Sequence, residues 1–303
     1  MAKVELSQVL KQLLNHKGGQ LPMPEPIISH VSDTARWIAA YRAMETRRPD
    51  ALFCDPLAQR LAGEQGWTIV AHAPWFMRGG GAFIARTRLI DNLIVQSITA
   101  GADTVLNLAA GFDTRPYRMN LPPSLVWIEA DLPEIINEKE QLLAGEKPVC
   151  RLIREKVNLS NQAALAAFLA RGMTAGSTVL VVAEGLLLYL DTDTVQMLAR
   201  ELATPPAVRW WILNLSSPAA LRTVERGFGA ALARTPLKFA PPDGVAFFEK
   251  LGWTVRDVIS LTHATIRFKR GPLWLRLLTS LLPESDPRNP KGRWGAVVRL
   301  ERQ

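Results

Sequence analysis

The spacing of apolar residues changes character near Gly101. Before it, the period is helical. Val4, Leu6, Val9, Leu10, Leu13 and Leu14 fall near a 3.6-residue repeat, which Gly18–Gly19 stops. A Pro-rich connector runs from Leu21 to Pro26. Ser32 or Asp33 suits the cap of a helix through Thr34, Ile38, Tyr41 and Met44, which Arg48-Pro49-Asp50 ends. Asp55-Pro56 opens a further short helix with Pro at its first position. Gly79–Gly81 reads as a hinge before a long helix from Phe83 to Thr99.

After Gly101 short apolar runs alternate with helical ones. Strands are predicted at Thr104–Leu108, Leu125–Glu129, Val149–Ile153, Thr178–Ala183, Val208–Leu215, Trp253–Ile259 and Gly295–Leu300. Helices are predicted at Leu132–Leu143, Asn161–Leu169, Thr192–Leu202 and Gly244–Leu251. The run TVLVVA (178–183) has the continuous apolarity of a central parallel strand buried on both faces. This order predicts an α/β fold: a Rossmann-like, doubly wound, mostly parallel seven-stranded sheet with an N-terminal helical cap. Residues 1–100 form the cap or lid in this reading, and 101–303 form the core with a C-terminal lid insertion. The insertion is Pro272–Leu282, apolar nearly all round, which is either a core helix or a cover for an apolar substrate.

Composition narrows the class. The chain has 303 residues, 48% hydrophobic and 21% charged, which excludes collagen-like and disordered chains. Two cysteines, Cys54 and Cys150, cannot build a disulfide framework. No CxxC, HExxH or histidine cluster occurs, so no metal site is expected. No apolar run is long enough for a bilayer, and the amphipathic, charged first residues differ from a signal core, so a cytoplasmic location is expected. The net charge is +8, and from Arg267 onward nine Lys/Arg against three Asp/Glu leave +6. Such a stretch is either a solvated surface or a contact for nucleic acid, an acidic carrier protein or an anionic small molecule.

In doubly wound sheets ligands bind beyond the carboxyl ends of the strands. The first strand runs into NLAAGFDTR (107–115), whose small residues permit close backbone approach or serve tight packing. Neither GxGxxG nor GxxxxGK[ST] is present, so the turn suits a nucleoside-like ligand without phosphates. Asp131 stands 20 residues past Gly111, where a carboxylate accepts ribose hydroxyls or caps the next helix. Asn158, in VNLS, either reads an adenine edge or shares a helix-capping role with Ser160. Glu184 follows the most apolar strand directly, a costly place for an unpaired acid, and points to a site. Arg86 and Arg88 either hold a ligand carboxylate or lie on a solvated helical face. Arg115, Arg118 or Arg276 could clamp an acidic substrate. The four histidines stand apart and no GxSxG occurs, so nothing suggests nucleophilic catalysis.

Five blocks, in order, carry a resemblance: TARWIAAYRAMETRRPDALFCDPLAQRLAG, ARTRLIDNLI, LNLAAGFDTRPYRM, IEADLPEIINEK and AEGLLLYL. Together they resemble the class I S-adenosylmethionine-dependent methyltransferases of the leucine carboxyl methyltransferase type, and among these the bacterial polyketide-type O-methyltransferases most. The resemblance implies S-adenosyl-L-methionine as cofactor. It assigns Arg86, with Arg88, to the methionine carboxylate and Ala109, Ala110 and Gly111 to the close-approach turn. It assigns Asp131, with Leu132, to the ribose, Asn158 and Leu159 to the adenine, and Glu184 to the methionine amino group. Tyr189 and Arg115 are the candidates for positioning the acceptor. The family usually has Gly at the place of Ala109 and Asp at that of Asn158.

The function expected is methyl transfer to an oxygen, preferably a carboxylate of a small or mid-sized acidic or aromatic metabolite. A carboxylate is already ionised near pH 7, which agrees with the lack of a His-centred site. The alternatives are an RNA- or protein-modifying methyltransferase, a non-catalytic cofactor-binding protein and a nicotinamide oxidoreductase. No RNA-binding module is recognisable, so the partner expected is a small acidic acceptor, with neither membrane nor nucleic acid. A contact with an acidic carrier protein or a second copy stays open.

Overall fold

The computed structural model describes residues 28, 31–74, 77–172, 177–228, 236–271 and 292–302. The predicted first helix, the Pro-rich connector and Pro272–Leu282 lie outside them. Seven strands form one sheet: β1 Thr104–Leu108, β2 Val126–Asp131, β3 Arg151–Lys156, β4 Val179–Ala183, β5 Val208–Ser216, β6 Trp253–Ser260 and β7 Gly295–Arg302. Their order is 3-2-1-4-5-7-6. The first five are parallel, and β7 lies antiparallel between β5 and β6. The order reverses between β1 and β4, where such sheets open a crevice.

Alternation along the strands builds the two layers. Leu106, Ile128, Val181 and Trp211 face one side, with Phe168 of α6 (Gln162–Gly172) and Leu198 of α7 (Thr192–Ala203). Val105, Trp127, Leu180 and Trp210 face the other, with Leu89, Ile90 and Leu93 of α3 (Gly81–Thr99). The rings of Trp210 and Trp211 therefore lie on opposite faces, as a strand requires. The helix expected to close the N-terminal cap packs as part of the sheet layer. Outside that layer α1 (Val31–Thr46) and α2 (Ala58–His72) rest on Phe112 and on Ile135 of α5 (Pro133–Leu142).

Several predicted boundaries move. β2 and β3 run two or three residues further than their apolar pattern, because Glu129 and Arg154 stand opposite each other in the register and bond at 2.9 Å. A strand continues through a charge when its neighbour neutralises it. Helix α1 starts at Val31, which places Ser32 and Asp33 inside its first turn, where an acid favours the helix dipole. Pro56 sits in the turn before α2, which then runs 15 residues with a break at Gly63 (φ 54°). Four-residue α4 (Arg115–Arg118), α8 (Pro218–Phe228) and α10 (Leu261–Arg267) were not predicted, and α9 shortens to Ala246–Glu249. Two of the three glycines expected to form a hinge are packing positions, while Gly79 faces open space. A Cβ on Gly80 would lie 2.3 Å from the Tyr41 ring, and one on Gly81 would lie 2.2 Å from the Arg270 carbonyl oxygen.

Arg270, just after α10, also ties that segment to the end of α1. It donates to both oxygens of Glu45, at 2.8 and 2.6 Å, and to Asp50 at 3.1 Å. Glu45 is fully buried. Removing the cation would leave the buried carboxylate only the Leu52 N–H at 2.6 Å and the exposed Arg48 3.8 Å away, so Arg270→Met is expected to lower unfolding free energy by about 3 kcal/mol in urea titration. A loss below about 1 kcal/mol would mean that Glu45 is hydrated in solution.

Candidate functional site

Beyond β1 the chain turns through Ala109, Ala110 and Gly111. Ala109 and Gly111 both have positive φ, 51° and 48°. The Ala110 N–H donates to the Ala130 carbonyl at 3.3 Å, which ties the turn to β2. A Cβ on Gly111 would lie 3.4 Å from Ala35 of α1, so the cap helix runs directly over the turn. At the end of β2, Asp131 is buried and accepts from the Gly111 N–H at 2.7 Å and from the Leu132 N–H at 2.7 Å. It does not cap α5, whose capping residue is Leu132. Burial raises its carboxyl above the ordinary range, against the pull of the two N–H bonds. Each carboxylate oxygen thus has one bond and a lone pair to spare.

Asn158 is exposed beyond β3, and its oxygen accepts from the Ser160 N–H at 3.0 Å. The cap of α6 is Asn161, which accepts from Ala164, so neither Asn158 nor Ser160 holds that role. Leu159 is buried in the core beside it. At the end of β4, Glu184 meets Arg86 of α3 at 2.8 Å and Arg115 at 2.8 Å. Gly185, with φ 75°, donates to the Asn214 side chain of β5 at 2.6 Å and fixes the turn. Arg88 stands two residues past Arg86, about 200° round the helix, and is not brought to this cluster.

Arg115 overturns an expectation. It is 2% exposed and cannot clamp a substrate from solution. Its guanidinium donates to Asp91 at 2.7 Å, Asp113 at 2.6 Å and Glu184 at 2.8 Å. Arg118 is spent likewise, on both oxygens of Asp91. Arg115 instead positions Glu184. Burial pushes the carboxyls of Asp91, Asp113 and Glu184 up, but the arginines outweigh it and hold all three below their ordinary values. Tyr189, in a turn of 3-10 helix at Leu187–Tyr189, shares a hydrogen bond with Thr34 of α1, and burial raises its hydroxyl pKa.

Asp91, Asp113, Asn107 and Asn214 were not singled out in the sequence. Asp91 carries the signal that marked Glu184, an acid set within an apolar run (Leu89, Ile90, Leu93, Ile94). Asn107 donates to Asp113 at 2.8 Å from inside a buried strand. A second cluster links α1 to the same loop: Arg42 and the Thr114 hydroxyl both bond Asp55, at 2.8 and 2.5 Å. Aromatic rings flank Arg86. Phe83 lies 5.4 Å from its guanidinium and stacks on Tyr41 at 5.2 Å, with Trp37 at 5.1 Å.

A sequence model of the family described as leucine carboxyl methyltransferase matches residues 35–203. A provisionally named S-adenosyl-L-methionine-dependent methyltransferase of Streptomyces coelicolor is 34% identical over 284 residues, covering 89% of this chain and 96% of that one. A similarly named protein of Frankia alni is 32% identical over 250 residues, covering 76% and 86%. Among solved structures, a DUF574 family protein from Streptomyces avermitilis has a TM-score of 0.56 at 14% identity, over 88% of this chain and 96% of that one. A provisionally named methyltransferase from Thermobifida fusca has a TM-score of 0.54 at 12% identity, over 94% and 100%. These two likenesses show the fold.

Two outcomes are expected from the geometry. An L-residue at φ 51° costs about 1–2 kcal/mol, and glycine's extra unfolded-state entropy takes back about 0.5–1. Ala109→Gly should therefore stabilise the protein by roughly 0.5–1 kcal/mol, and a lower melting temperature would show that the methyl is not strained. The three depressed carboxylates contribute stability that is present above about pH 4–5 and lost as pH falls through their folded values. The urea midpoint should accordingly drop as pH is lowered from about 5 to 3; a flat profile would contradict the cluster.

Proposed function

The chain belongs to the leucine carboxyl methyltransferase family and is an S-adenosylmethionine-dependent methyltransferase; on that premise we propose that it methylates a carboxylate oxygen of a small or mid-sized acidic or aromatic metabolite. The residues suit the cofactor. Arg86 and Glu184 offer opposite charges side by side, as a zwitterionic amino-acid end requires. Asp131 has a lone pair for each ribose hydroxyl, and Asn158 has amide N–H groups for an adenine edge. Gly111 lets backbone approach the ligand closely. When bound, the cofactor supplies a methyl group already activated on a sulfonium. What remains for the protein is to align the acceptor and exclude water.

The observation that carries the choice of a carboxylate is that, once Asp131 is given to the ribose, the acids gathered at the end of β4 and on the loop after β1 are already committed. Asp91, Asp113 and Glu184 are held ionised inside ion pairs. Burial keeps the Tyr189 hydroxyl protonated. His72 and His263 bond within their own helical segments, to the Thr68 carbonyl and the Ser260 hydroxyl. A phenol would need help in losing its proton, and a carboxylate needs none. The partly exposed ring of Phe83, 5.4 Å from the Arg86 guanidinium, suits an apolar or aromatic body on that acid. Part of the basic C-terminal surplus is internal, since Arg270 pairs with Glu45 and Arg299 with Asp257, which favours a small acid over nucleic acid.

Calorimetry with S-adenosylhomocysteine, NADH and ATP is the first check. Micromolar binding of the first alone is expected, weakened roughly 10–100-fold by Asp131→Ala through loss of charge-assisted hydrogen bonds. Incubation of a panel of carboxylic acids and phenols with methyl-labelled cofactor tests the acceptor. Label released as methanol by mild base identifies a methyl ester, and a base-stable product would replace the carboxylate reading with an ether-forming one.

A further inference from the structure

Beneath Asp131 lies a group of charges that the methyl-transfer reading does not use. Lys139 of α5 is 0% exposed and donates to Glu129, also 0% exposed, at 2.7 Å. Glu129 takes Arg154 of β3 on its other oxygen at 2.9 Å, and Arg154 donates to the Tyr117 hydroxyl at 2.7 Å. Three elements thus meet at one buried carboxylate two residues before Asp131, and Tyr117 of α4 joins them through Arg154. Burying such a cation is a poor way to gain stability, since apolar residues of equal volume commonly do as well. Its position suggests another use. Asp131 is itself buried, and desolvation works against its charged form.

The charges on the elements around Asp131 are few. Its own strand carries Glu129, which opposes ionisation. The loop after β1 carries Asp113, which is already bound to Arg115. On β3 the residue opposite is Lys156, exposed and 3.9 Å from Glu140. On α5, Glu138 is held by Arg36 of α1, which leaves Lys139 as the buried cation on that helix among the described residues. Lys139 acts through space on both Asp131 and Asp113.

We propose that Lys139 is a positioning residue for cofactor binding: it anchors the end of β2 through Glu129 and keeps Asp131 ionised at neutral pH, ready to accept hydroxyls. The proposal rests on the reading that Asp131 binds the ribose. With Lys139 lost, Glu129 would keep Arg154 on one oxygen but lose the fully buried cation on the other, and the uncompensated charge beside Asp131 would make it take up a proton at higher pH. Binding that needs the carboxylate would then fall about tenfold per pH unit below the new titration point.

The test uses S-adenosylhomocysteine calorimetry from about pH 5.5 to 8.5, together with a 13C titration of the Asp131 carboxyl carbon in the free protein. The proteins compared are wild type, K139M, K139R, D131N and K139Q, which keeps a hydrogen-bond donor for Glu129 and covers the case that K139M does not fold. Support is a flat wild-type affinity above about pH 6, a profile in K139M or K139Q that weakens towards acid, an Asp131 titration moved upward in step, and a flat profile again in K139R. A K139M or K139Q profile that superimposes on wild type, while D131N weakens binding, overturns the proposal. Unchanged binding in D131N instead removes the ribose reading, and the carbon titration then decides alone whether Lys139 keeps Asp131 ionised.

Discussion

The guanidinium of Arg115 is the constraint on which the rest of the site depends. Its three edges are taken by carboxylates from α3, from the loop after β1 and from the end of β4. None of these elements is adjacent to all the others in sequence. A planar fork with fixed donor directions brings them to one geometry. With Arg86 and Arg118 included, three arginines meet three acids, so the buried cluster is neutral as a whole. Neutrality permits ionised groups to stay where apolar strands end. It also means that Glu184 is oriented before any ligand arrives.

The cap depends on the same loop. Arg42 of α1 reaches the Phe112 carbonyl at 2.5 Å as well as Asp55, and Asp55 in turn takes the Thr114 hydroxyl. Thr114 immediately precedes Arg115, so the helix above the turn that follows β1 and the charge cluster below it share one stretch of backbone. The strained Ala109 stands at the start of that stretch, between a rigid strand and a doubly anchored loop. Strain of this kind persists only where its surroundings over-determine the conformation.

Much of this was legible in the sequence, for identifiable reasons. The parallel strands announced themselves because burial on both faces demands continuous apolar runs, as in Val179–Ala183. Gly111, Asp131 and Glu184 were legible because small or charged residues at strand ends break that pattern. The boundaries of β2 and β3 were not, since Glu129 and Arg154 read as polar singly and only their pairing across the register makes them interior. Arg115 was misread for the same reason. A lone arginine after a strand looks available, and its three acids lie 24, 2 and 69 residues away. Lys139 went unremarked because one lysine on an amphipathic helix is ordinarily a solvated one.

The clamp between Glu45 and Arg270 has a consequence for the order in which the molecule is made. The two residues are 225 positions apart. At about 5–20 residues per second, synthesis leaves Glu45 waiting roughly 11–45 seconds for its partner to be polymerised. During that interval Glu45 has Arg48 3.8 Å away, but not the two-point contact that Arg270 supplies. The strand that completes the sheet, β7, arrives later still and must enter between β5 and β6, which are already made. The nascent chain therefore carries α1 without its Arg270 latch, and the sheet without its β5–β7–β6 pairing, until both later segments have been made.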